Sequence, residues 1–430
     1  MNGAKYHIHT YGCQMNVHES EKIAGLLQAR GFSSCEDVAE ADVIVMNTCC
    51  VRETAETKVL GHLGRIKSQK KKGAVLIVCG CMTQQRAVAE MLYKRCPFVD
   101  IIIGTFNQGS VTEYIDTFLA TDKRIVDIWD KERDTKEVSC AVRDDDINAW
   151  VNIMYGCNNF CTYCIVPYVR GRERSRPLDE IISEVNSLLD RGYKQITLLG
   201  QNVNSYDCGG KNFIDLLKML DNGREYRLKF MTSHPKDFSI ALAEEIGRSK
   251  VLSHNLHLPV QAGSNSVLKA MNRHYTREEY FDKINAVREA VPDIGLSSDV
   301  MVGFPTETEE DFLETLDLVE RVRYNNLFMF IYSRRDGTPA AKMPQIDYKT
   351  KQGRISRLIK TQFEISKQIA LSMVGTELTV LTSEQKNGVF YGKAQNELAV
   401  SFTGDAKIGE FTRVKITSAK NANLAGEVKR

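Results

Sequence analysis

The feature that most constrains this 430-residue chain is a run of three closely spaced cysteines, Cys157, Cys161 and Cys164, in the pattern C-x3-C-x2-C. No other Cys or His stands close by in the sequence to act as a fourth ligand. Three thiolates can hold three irons of a four-iron cluster and leave the fourth iron open. An open metal position can bind a substrate, as it does in catalytic zinc sites. The spacing therefore predicts a catalytic iron–sulfur cluster.

Two simpler interpretations fit the three cysteines less well. A structural zinc site needs a fourth Cys or His, and Cys208 and His234 are too remote in sequence to be proposed from spacing. A disulfide framework is typical of short secreted chains, whereas this chain is long, has no secretory signal and carries 12 cysteines without a pairing pattern. We therefore expect reduced thiols in a cytoplasmic protein.

The bulk composition predicts a soluble globular protein with no membrane partner. The hydrophobic content is 43% and the charged content 26%, and no apolar stretch approaches the roughly 20 residues that span a bilayer. The net charge of +2 does not indicate a nucleic-acid partner by itself. Directly after the cysteine run, however, four arginines alternate along the chain, and their planar guanidinium groups are suited to phosphates. They are Arg170, Arg172, Arg174 and Arg176.

The first segment, residues 1–122, alternates short apolar runs with helical stretches, which predicts a parallel sheet flanked by helices. The candidate strands are Lys5–Thr10, Asp42–Met46, Val75–Val78 and Asp100–Ile103. The first three strands each lead into a turn that carries cysteines: Cys13, the pair Cys49 and Cys50, and the pair Cys79 and Cys81. Since ligands bind beyond the carboxyl ends of such strands, these turns predict a second cluster site.

Two of these turns offer a choice of cysteine. Cys79 would be the last residue of a buried strand, whereas Cys81 lies past Gly80 in the turn and is the better ligand. The sequence pattern does not separate Cys49 from Cys50. The alternative for the whole set is that free cysteines fill core space. That interpretation is the one we apply to the remaining cysteines, Cys35, Cys96, Cys140 and Cys208.

The second segment, residues 143–373, repeats strand and helix six times, which predicts an open six-strand (β/α)6 partial barrel. The candidate strands are Ala149–Tyr155, Gln195–Leu199, Leu228–Thr232, Asn255–Leu258, Leu296–Val302 and Leu327–Tyr332. One helix is expected to begin with a capping box at Thr276 and Glu279. The cysteine run lies just beyond the first strand, where barrel enzymes place their sites.

Polar residues near the later strand ends of this barrel are candidates for holding a cofactor. Ser233, Gln261 and Asp299 are our choices, and Gln201, Asn202 and His234 share the same setting. The alternative for each is a turn-former or a buried polar group that is already hydrogen-bonded. A charged helical connector is expected over Tyr348–Met373.

The third segment, residues 374–430, changes to the alternating pattern of strands and predicts a small antiparallel β-barrel. The expected strands are Glu377–Leu381, Val389–Lys393, Leu398–Phe402, Phe411–Thr417 and Leu424–Lys429. Its basic residues are Lys393, Lys407, Arg413, Lys415 and Lys420. A small basic barrel is suited to single-stranded RNA, although dimerisation or packing would give the same pattern.

Taken together, these motifs resemble those of the radical S-adenosylmethionine (SAM) methylthiotransferases, and most of all the MiaB-type branch that modifies tRNA. The matching residues are Tyr11–Asn16, Asn47–Cys49 with Arg52 and Glu53, Gly80–Met82 with Gln84, and Cys157, Cys161 and Cys164 with Pro167 and Arg170–Arg176. The third segment resembles a TRAM domain, a small RNA-binding barrel. One departure is His18, which stands where relatives usually carry Asp.

The resemblance implies two 4Fe-4S clusters, SAM and a tRNA substrate. It implies Cys49 rather than Cys50, so that Cys13, Cys49 and Cys81 hold one cluster and Cys157, Cys161 and Cys164 the other. In this family one cluster supplies sulfur, and the other delivers an electron that cleaves SAM to a 5'-deoxyadenosyl radical. The electron would come from a donor such as a flavodoxin-type reductant. Ser233, Gln261 and Asp299 remain the expected SAM contacts.

The implied reaction adds a methylthio group to carbon 2 of N6-isopentenyladenosine at tRNA position 37, within the anticodon stem-loop. A methylthiotransferase acting on threonylcarbamoyl-adenosine in tRNA, or on an aspartate of a ribosomal protein, is the alternative within the same chemistry. Gln14 and Met15, which follow Cys13, favour the isopentenyl-adenosine branch. A non-catalytic iron–sulfur or zinc protein that binds RNA through its third segment is a second alternative.

Replacement of Cys161 by Ala should abolish SAM cleavage while the N-terminal cluster survives. The wild-type chain should contain about eight irons when both clusters are filled. Iron and sulfide analysis together with chromatography of 5'-deoxyadenosine checks both expectations. A Cys161→Ala variant that still forms 5'-deoxyadenosine would contradict the assignment of the second trio.

Overall fold

A computed structural model of the protein describes residues 3–50, 53–131, 142–143 and 145–429. Cys140 and Arg52, which the sequence analysis singled out, lie outside the described residues. The chain divides into two compact units. The first contains residues 1–145, 155–158 and 164–174, and the second contains residues 146–154, 159–163 and 175–430. The bounds 1–122, 143–373 and 374–430 stay a prediction.

The first unit is built on a six-stranded parallel sheet. Its elements are β1 (Lys5–Thr10), α1 (Gln14–Ala29), β2 (Ser33–Ser34), β3 (Val43–Thr48), α2 (Glu53–Gln69), β4 (Val75–Gly80), α3 (Arg86–Arg95), β5 (Ile101–Ile103), α4 (Val111–Thr121), β6 (Ile125–Asp127) and α5 (Val166–Arg170), with short 3-10 helices at Val38–Glu40 and Gln108–Ser110. The strand order is β2-β1-β3-β4-β5-β6. The sheet thus extends through β6, beyond residue 122.

The central strands of this sheet are buried on both faces. Every residue of β3 and β4 is buried, as expected for a parallel sheet that helices cover on both sides. Ile44 and Met46 of β3 pack into the apolar cluster on one face. Val43 and Val45 pack into the cluster on the other face. Two covered faces leave only the ends of the strands open for a site.

The second unit begins with strands and helices in alternation. Its elements before the tail are β7 (Asn148–Asn152), the two-residue strands β8 (Met154–Tyr155) and β9 (Arg174–Ser175) where the chain passes between units, α6 (Leu178–Asp190), β10 (Gln195–Leu199), β11 (Asp207–Cys208), β12 (Lys211–Asn212), α7 (Phe213–Leu220), β13 (Arg227–Phe230), α8 (Ile240–Arg248), β14 (Asn255–His257), α9 (Asn265–Ala270), α10 (Arg277–Ala290), β15 (Gly295–Val302), α11 (Glu309–Val322), β16 (Asn326–Ile331) and α12 (Tyr348–Ser372). Short 3-10 helices lie at Val203–Ser205, Pro235–Asp237 and Pro339–Lys342.

The six main strands of this part form two parallel sheets, in the orders β13-β10-β7 and β14-β15-β16. A bridge between Leu228 and Leu252 connects the end of the first sheet to the segment before β14. The predicted six-strand partial barrel is confirmed. One expected strand, Ala149–Tyr155, is interrupted at Ile153. The N–H of Ile153 still donates to Leu199 of β10 at 2.9 Å, but its carbonyl accepts a hydrogen bond from the N–H of Arg176 at 2.8 Å.

The tail folds into a closed five-stranded barrel in the order β17-β18-β19-β21-β20. Its strands are β17 (Glu377–Lys386), β18 (Val389–Ala394), β19 (Ala399–Thr403), β20 (Phe411–Lys420) and β21 (Asn423–Val428). The expected antiparallel pairing holds except between β19 and β21, which run parallel because β20 lies between them in the chain. Closure of the barrel leaves no strand edge exposed.

The tail barrel is docked onto the amino ends of the partial-barrel strands. Arg227, which is 1% exposed, donates to the carbonyl of Lys393 at 2.9 Å. Lys229 forms an ion pair with Glu397 at 2.8 Å. A Cβ at Gly295 would meet the carbonyl oxygen of Asn396 at 2.1 Å, so the two backbones touch at this point. The second unit is therefore one continuous body.

Among the described residues, none of the helices combines the length and the apolar character that a membrane span requires.

The predicted capping box at the start of α10 is present and generates a stability test. The Thr276 side chain accepts from the N–H of Glu279, and the Glu279 carboxylate accepts from the N–H of Thr276. Replacement of Thr276 by Ala should lower the free energy of unfolding by about 1 kcal/mol, because helix N–H groups lose their partner. Replacement by Ser, which keeps the hydroxyl, is the control. Denaturant unfolding followed by circular dichroism measures both; equal midpoints for the two variants would contradict the role of the cap.

Candidate functional site

The three cysteine-bearing turns of the first unit meet at the carboxyl ends of β1, β3 and β4. Cys13 is the residue that precedes α1. The N–H of Tyr11 donates to the carbonyl of Asn47 at 2.9 Å, and the N–H of Cys81 donates to the carbonyl of Thr48 at 2.9 Å. Each turn is therefore tied to the turn beside it by a backbone hydrogen bond.

A buried amide, Asn16, joins the same turns from the centre. Its Nδ2 donates to the carbonyl of Tyr11 at 2.8 Å and to the carbonyl of Thr48 at 3.0 Å. Its Oδ1 accepts a hydrogen bond from Arg170 at 2.8 Å. Asn16 is fully buried. Sequence reasoning gave this residue no role beyond membership of a motif, because two of these bonds, those with Thr48 and Arg170, join groups remote in the chain.

Two glycines allow these turns to pack closely. Gly12 has a φ of +112°, and a Cβ there would lie 2.6 Å from the sulfur of Cys49. Gly80 has a φ of +103°, and a Cβ there would lie 2.3 Å from the carbonyl oxygen of Thr48. Both positions therefore need glycine, for backbone conformation and for space.

Four thiols, not three, reach this site. A hydrogen bond from Cys49 and the charge of Arg170 lower the pKa of Cys13 to about 5. A hydrogen bond from Cys50 and the same arginine lower the pKa of Cys81 to about 7. Donation to Cys81, together with burial, raises the pKa of Cys50 well above its usual value. The geometry places Cys49 and Cys50 both against the site and does not separate them.

Cys79 is the cysteine that the structure directs elsewhere. It is fully buried in the apolar cluster that contains Val75 and Ile77. Burial raises its pKa to about 12, which disfavours the thiolate that a metal needs. Cys81, by contrast, packs in the other cluster, together with Cys50. The assignment of Cys13, Cys49 and Cys81 as ligands stays a prediction.

The second trio lies on the loop after β8. Gly156, with a φ of +74°, precedes it; a Cβ there would lie 2.0 Å from the carbonyl oxygen of Arg172. Cys157 is half-buried, and its N–H donates to the carbonyl of Gly171 at 3.2 Å. Cys164 is also half-buried. Both belong to the first unit.

Cys161 is buried and belongs to the second unit. The guanidinium of Arg273 donates to its sulfur at 3.4 Å. Arg273 is itself 4% exposed and donates to the carbonyl of Pro259 at 2.7 Å. A buried cation therefore lies beside the middle thiol. Sequence reasoning missed Arg273, because nothing in the local pattern around it signals a contact 112 residues away in the chain.

Beyond β10 and β13, several buried polar atoms have no hydrogen-bond partner among the described residues. They are Oε1 of Gln201, Oδ1 of Asn202, both side-chain polar atoms of Asn204, Oγ of Ser233 and Nε2 of His234. Buried polar groups in folded proteins are almost always hydrogen-bonded. Burial also lowers the pKa of His234 to about 2, so its ring is neutral. This part of the site fits a polar ligand that would satisfy these atoms.

The three predicted cofactor contacts occupy different settings. Ser233 follows β13 and belongs to the unsatisfied set. Gln261 follows β14 with a φ of +71°, and its N–H donates to the carbonyl of Asp299 at 2.9 Å. Asp299 lies inside β15 rather than at its carboxyl end, and its carboxylate is 3.8 Å from Nε2 of His257. The backbone thus joins Gln261 to Asp299.

The alternating arginines after the cysteine trio divide into two kinds. Arg170 and Arg176 are each 8% exposed. Arg170 contacts Asn16, as described above, and Arg176 pairs with Glu184 at 2.9 Å. Burial keeps both side chains away from an external ligand. Neither is therefore available for the phosphate binding that the alternating arginines suggested. Arg172 and Arg174 are exposed.

Within the described residues, no three Cys, His, Asp or Glu side chains stand in the geometry of a site for a metal ion. Each thiolate of a four-iron cluster binds a different iron, so such a cluster needs sulfurs spread farther apart than a single ion does. The donors at the N-terminal site fit this group. They are soft thiols, two of them with lowered pKa values, in a space cleared by Gly12 and lined by one cation.

Comparison with protein families identifies three parts of the chain. Residues 5–104 match the uncharacterized protein family UPF0004, residues 151–319 match the Radical SAM superfamily, and residues 371–429 match the TRAM domain. Together with the partial barrel and its cysteine trio, these matches define a chain of the radical SAM class.

Comparison with whole proteins narrows the class. The chain is 46% identical over 437 residues to the tRNA-2-methylthio-N(6)-dimethylallyladenosine synthase of Acetivibrio thermocellus, covering 99% of this chain and 91% of the relative. It is 47% identical over 440 residues to the synthase of the same name from Desulforamulus reducens, covering 100% of this chain and 96% of the relative. The chain belongs to the tRNA-2-methylthio-N(6)-dimethylallyladenosine synthase family.

Solved structures share the fold at low sequence identity. The radical S-adenosylmethionine methyltransferase TsrM from Kitasatospora setae matches with a TM-score of 0.59 at 14% identity, covering 91% of this chain and 81% of that one. The cobalamin-dependent S-adenosylmethionine radical enzyme OxsB matches with a TM-score of 0.52 at 12% identity, covering 84% of this chain and 58% of that one. These likenesses concern the fold.

The lowered pKa of Cys13 generates a prediction for the iron-free protein. Because its thiol has a pKa of about 5 and is exposed, iodoacetamide should alkylate Cys13 at nearly its full rate at pH 6.5, where the thiolate already predominates. Cys35, whose pKa is raised by burial, is the control and should react faster only above pH 9. Peptide mass spectrometry after timed labelling measures both rates. Parallel pH profiles for the two cysteines would contradict the effect of Cys49 and Arg170.

Proposed function

We propose that this protein is a radical SAM methylthiotransferase that adds a methylthio group to carbon 2 of N6-isopentenyladenosine at position 37 of tRNA, next to the anticodon. The observation that carries this proposal is the identity of 46% and 47% along almost the whole chain with synthases named for that product. In our proposal, the part that matches UPF0004 supplies the sulfur, the part that matches Radical SAM cleaves SAM, and the part that matches TRAM binds the RNA.

The reaction itself favours cofactor chemistry over acid–base chemistry. An aromatic C–H bond at carbon 2 of adenine has no acidic proton and no leaving group, so side-chain acids and bases cannot replace it. Cofactors supply such chemistry, and the protein supplies binding and orientation. When bound, the two clusters provide the sulfur that is inserted and the electron that cleaves SAM. The electron donor in our proposal is a flavodoxin-type reductant.

The proposed ligands of the N-terminal cluster are Cys13, Cys49 and Cys81. The buried position of Cys81, the glycine clearance beside Cys49 and the lowered pKa of Cys13 support this set. Cys50, which contacts Cys81, is the nearest competitor. The family motif places its cysteine at the position of Cys49, and for that reason we retain Cys49.

The proposed ligands of the radical cluster are Cys157, Cys161 and Cys164. Arg273 supports this set, because its buried guanidinium donates to the sulfur of Cys161 and so places a positive charge beside this ligand. The protein's task around this trio is to fix the loop, which Gly156 and the hydrogen bond between Cys157 and Gly171 do.

The proposed SAM contacts are Ser233, Gln261 and Asp299. Ser233 is the best supported, since its buried hydroxyl has no hydrogen-bond partner among the described residues. SAM carries an ammonium, a carboxylate and ribose hydroxyls that such a hydroxyl and the neighbouring amides could bond. The polar atoms of Gln201, Asn202 and Asn204 belong to the same ligand in our proposal, since they are left unsatisfied by the fold.

The proposed RNA contacts lie on the tail barrel and on the exposed arginines after the cysteine trio. Arg413 and Lys415 alternate along β20 with buried residues, so both face outward. Arg172 and Arg174 are exposed as well. Basic groups of this kind track the phosphates of a single strand, while the base to be modified is splayed out of the anticodon loop. A cytoplasmic location accords with a tRNA substrate.

The proposal predicts which modified nucleoside serves as the acceptor. The reconstituted enzyme should convert isopentenyl-adenosine in tRNA to its 2-methylthio derivative in the presence of SAM and a reductant. A tRNA bearing threonylcarbamoyl-adenosine should remain unchanged. Mass spectrometry of nucleosides after digestion measures both products, and the Cys161→Ala protein is the matched control. A methylthio product from the threonylcarbamoyl tRNA alone would favour the first alternative, and no SAM turnover in a fully loaded protein would favour the non-catalytic one.

A further inference from the structure

Arg170 places a buried guanidinium beside the thiols of the N-terminal site. It is 8% exposed and donates to Oδ1 of Asn16 at 2.8 Å. The same Oδ1 lies 3.9 Å from the sulfur of Cys81. Arg170 and the thiol of Cys81 therefore meet at the same side-chain oxygen, which places the positive charge beside that thiol.

Arg170 is held in place by the short helix that carries it. It is the last residue of α5, which begins two residues after Cys164. Ile165, just before this helix, and Val169 within it pack into the apolar cluster that also contains Cys81. The carbonyl of Val169 accepts from the hydroxyl of Thr105 at 2.6 Å. The backbone that carries the guanidinium is therefore fixed by buried contacts.

We propose that Arg170 is a positioning residue that supplies a permanent positive charge to the N-terminal cluster and thereby raises the cluster's reduction potential. The inference rests on the proposed function in one respect, namely that Cys13, Cys49 and Cys81 hold a cluster. Neither the sequence patterns nor the family matches assign this role to Arg170. The alternating arginine pattern instead suggested that Arg170 binds phosphates.

The physical reason is the charge that the site has to accommodate. A cluster on three thiolates becomes more negative when it is reduced, and so a nearby cation stabilises its reduced form more than its oxidised form. A buried cation acts more strongly than one in water, because the surrounding dielectric screens it less. An arginine keeps its charge at any pH that the protein tolerates. Arg170 also binds Asn16, and so the same side chain fixes the turns that carry the thiols.

The test uses the full chain with Cys157, Cys161 and Cys164 replaced by Ala, so that only the N-terminal cluster can assemble. In this background we compare Arg170 with the variants Arg170→Lys and Arg170→Gln. Iron and sulfide contents report assembly, and a redox titration followed by electron paramagnetic resonance reports the midpoint potential. Arg170→Gln should move the potential to a more negative value, whereas Arg170→Lys should leave it close to that of the parent.

One further variant keeps the test decisive. Arg174→Gln removes a cation from the same segment, one whose guanidinium lies over the ring of Tyr155 at 5.7 Å, and should leave the potential unchanged.

The possible results divide cleanly. A parental potential in fully loaded Arg170→Gln would overturn the proposal, and so would an equal shift in Arg174→Gln. Loss of the cluster in Arg170→Lys as well as in Arg170→Gln would overturn it too. Cluster assembly would then depend on the planar shape of the guanidinium rather than on its charge. These measurements need neither SAM nor tRNA, so that their failure leaves the proposed function standing. A parent chain that assembles no cluster would instead refute the ligand assignment.

Discussion

The hydrogen bonds of one buried amide, Asn16, are the interaction on which the N-terminal site depends. A parallel sheet brings the carboxyl ends of its strands to one edge, but it does not fix the turns beyond them. Asn16 does so, by donating to the turns after β1 and β3 and accepting from Arg170. The thiols that converge there are chemically useful only while these turns keep their mutual distance. The glycines at positions 12 and 80 are the steric counterpart of the same constraint.

The sequence predicted the architecture well because its signals are local. Buried strands, capping residues and alternation are properties of neighbouring residues, and so the strands β1, β4 and β18 begin where the patterns place them. The capping box at Thr276 is confirmed for the same reason. The patterns did not predict the end of a strand where a hydrogen bond comes from outside the segment. This is the case at Ile153, whose carbonyl accepts from the N–H of Arg176. The parallel pairing of β19 with β21 likewise depends on the closure of the whole barrel.

The candidate sites were predicted in part. Cysteine spacing points to the second trio, and the cysteine-bearing turns after three strands point to the first. The choice of Cys81 over Cys79 accords with the burial of Cys79 in the opposite apolar cluster. Arg273 and Arg170 could not be identified as neighbours of thiols, because both contacts join residues more than 60 positions apart. For Arg170 the pattern was misleading, since an arginine among other arginines suggests an exposed phosphate contact. Burial is a property of the fold and has no signature in that run.

The docking of the tail barrel on the partial barrel has a consequence for how the protein can be divided. Arg227 lies at the bottom of the partial barrel, where it bonds the carbonyl of Lys393 and faces the ring of Phe411 at 5.5 Å. A chain cut before residue 374 would leave this guanidinium and the backbone at Gly295 without their covering. The partial barrel and the tail barrel should consequently melt as a single cooperative body.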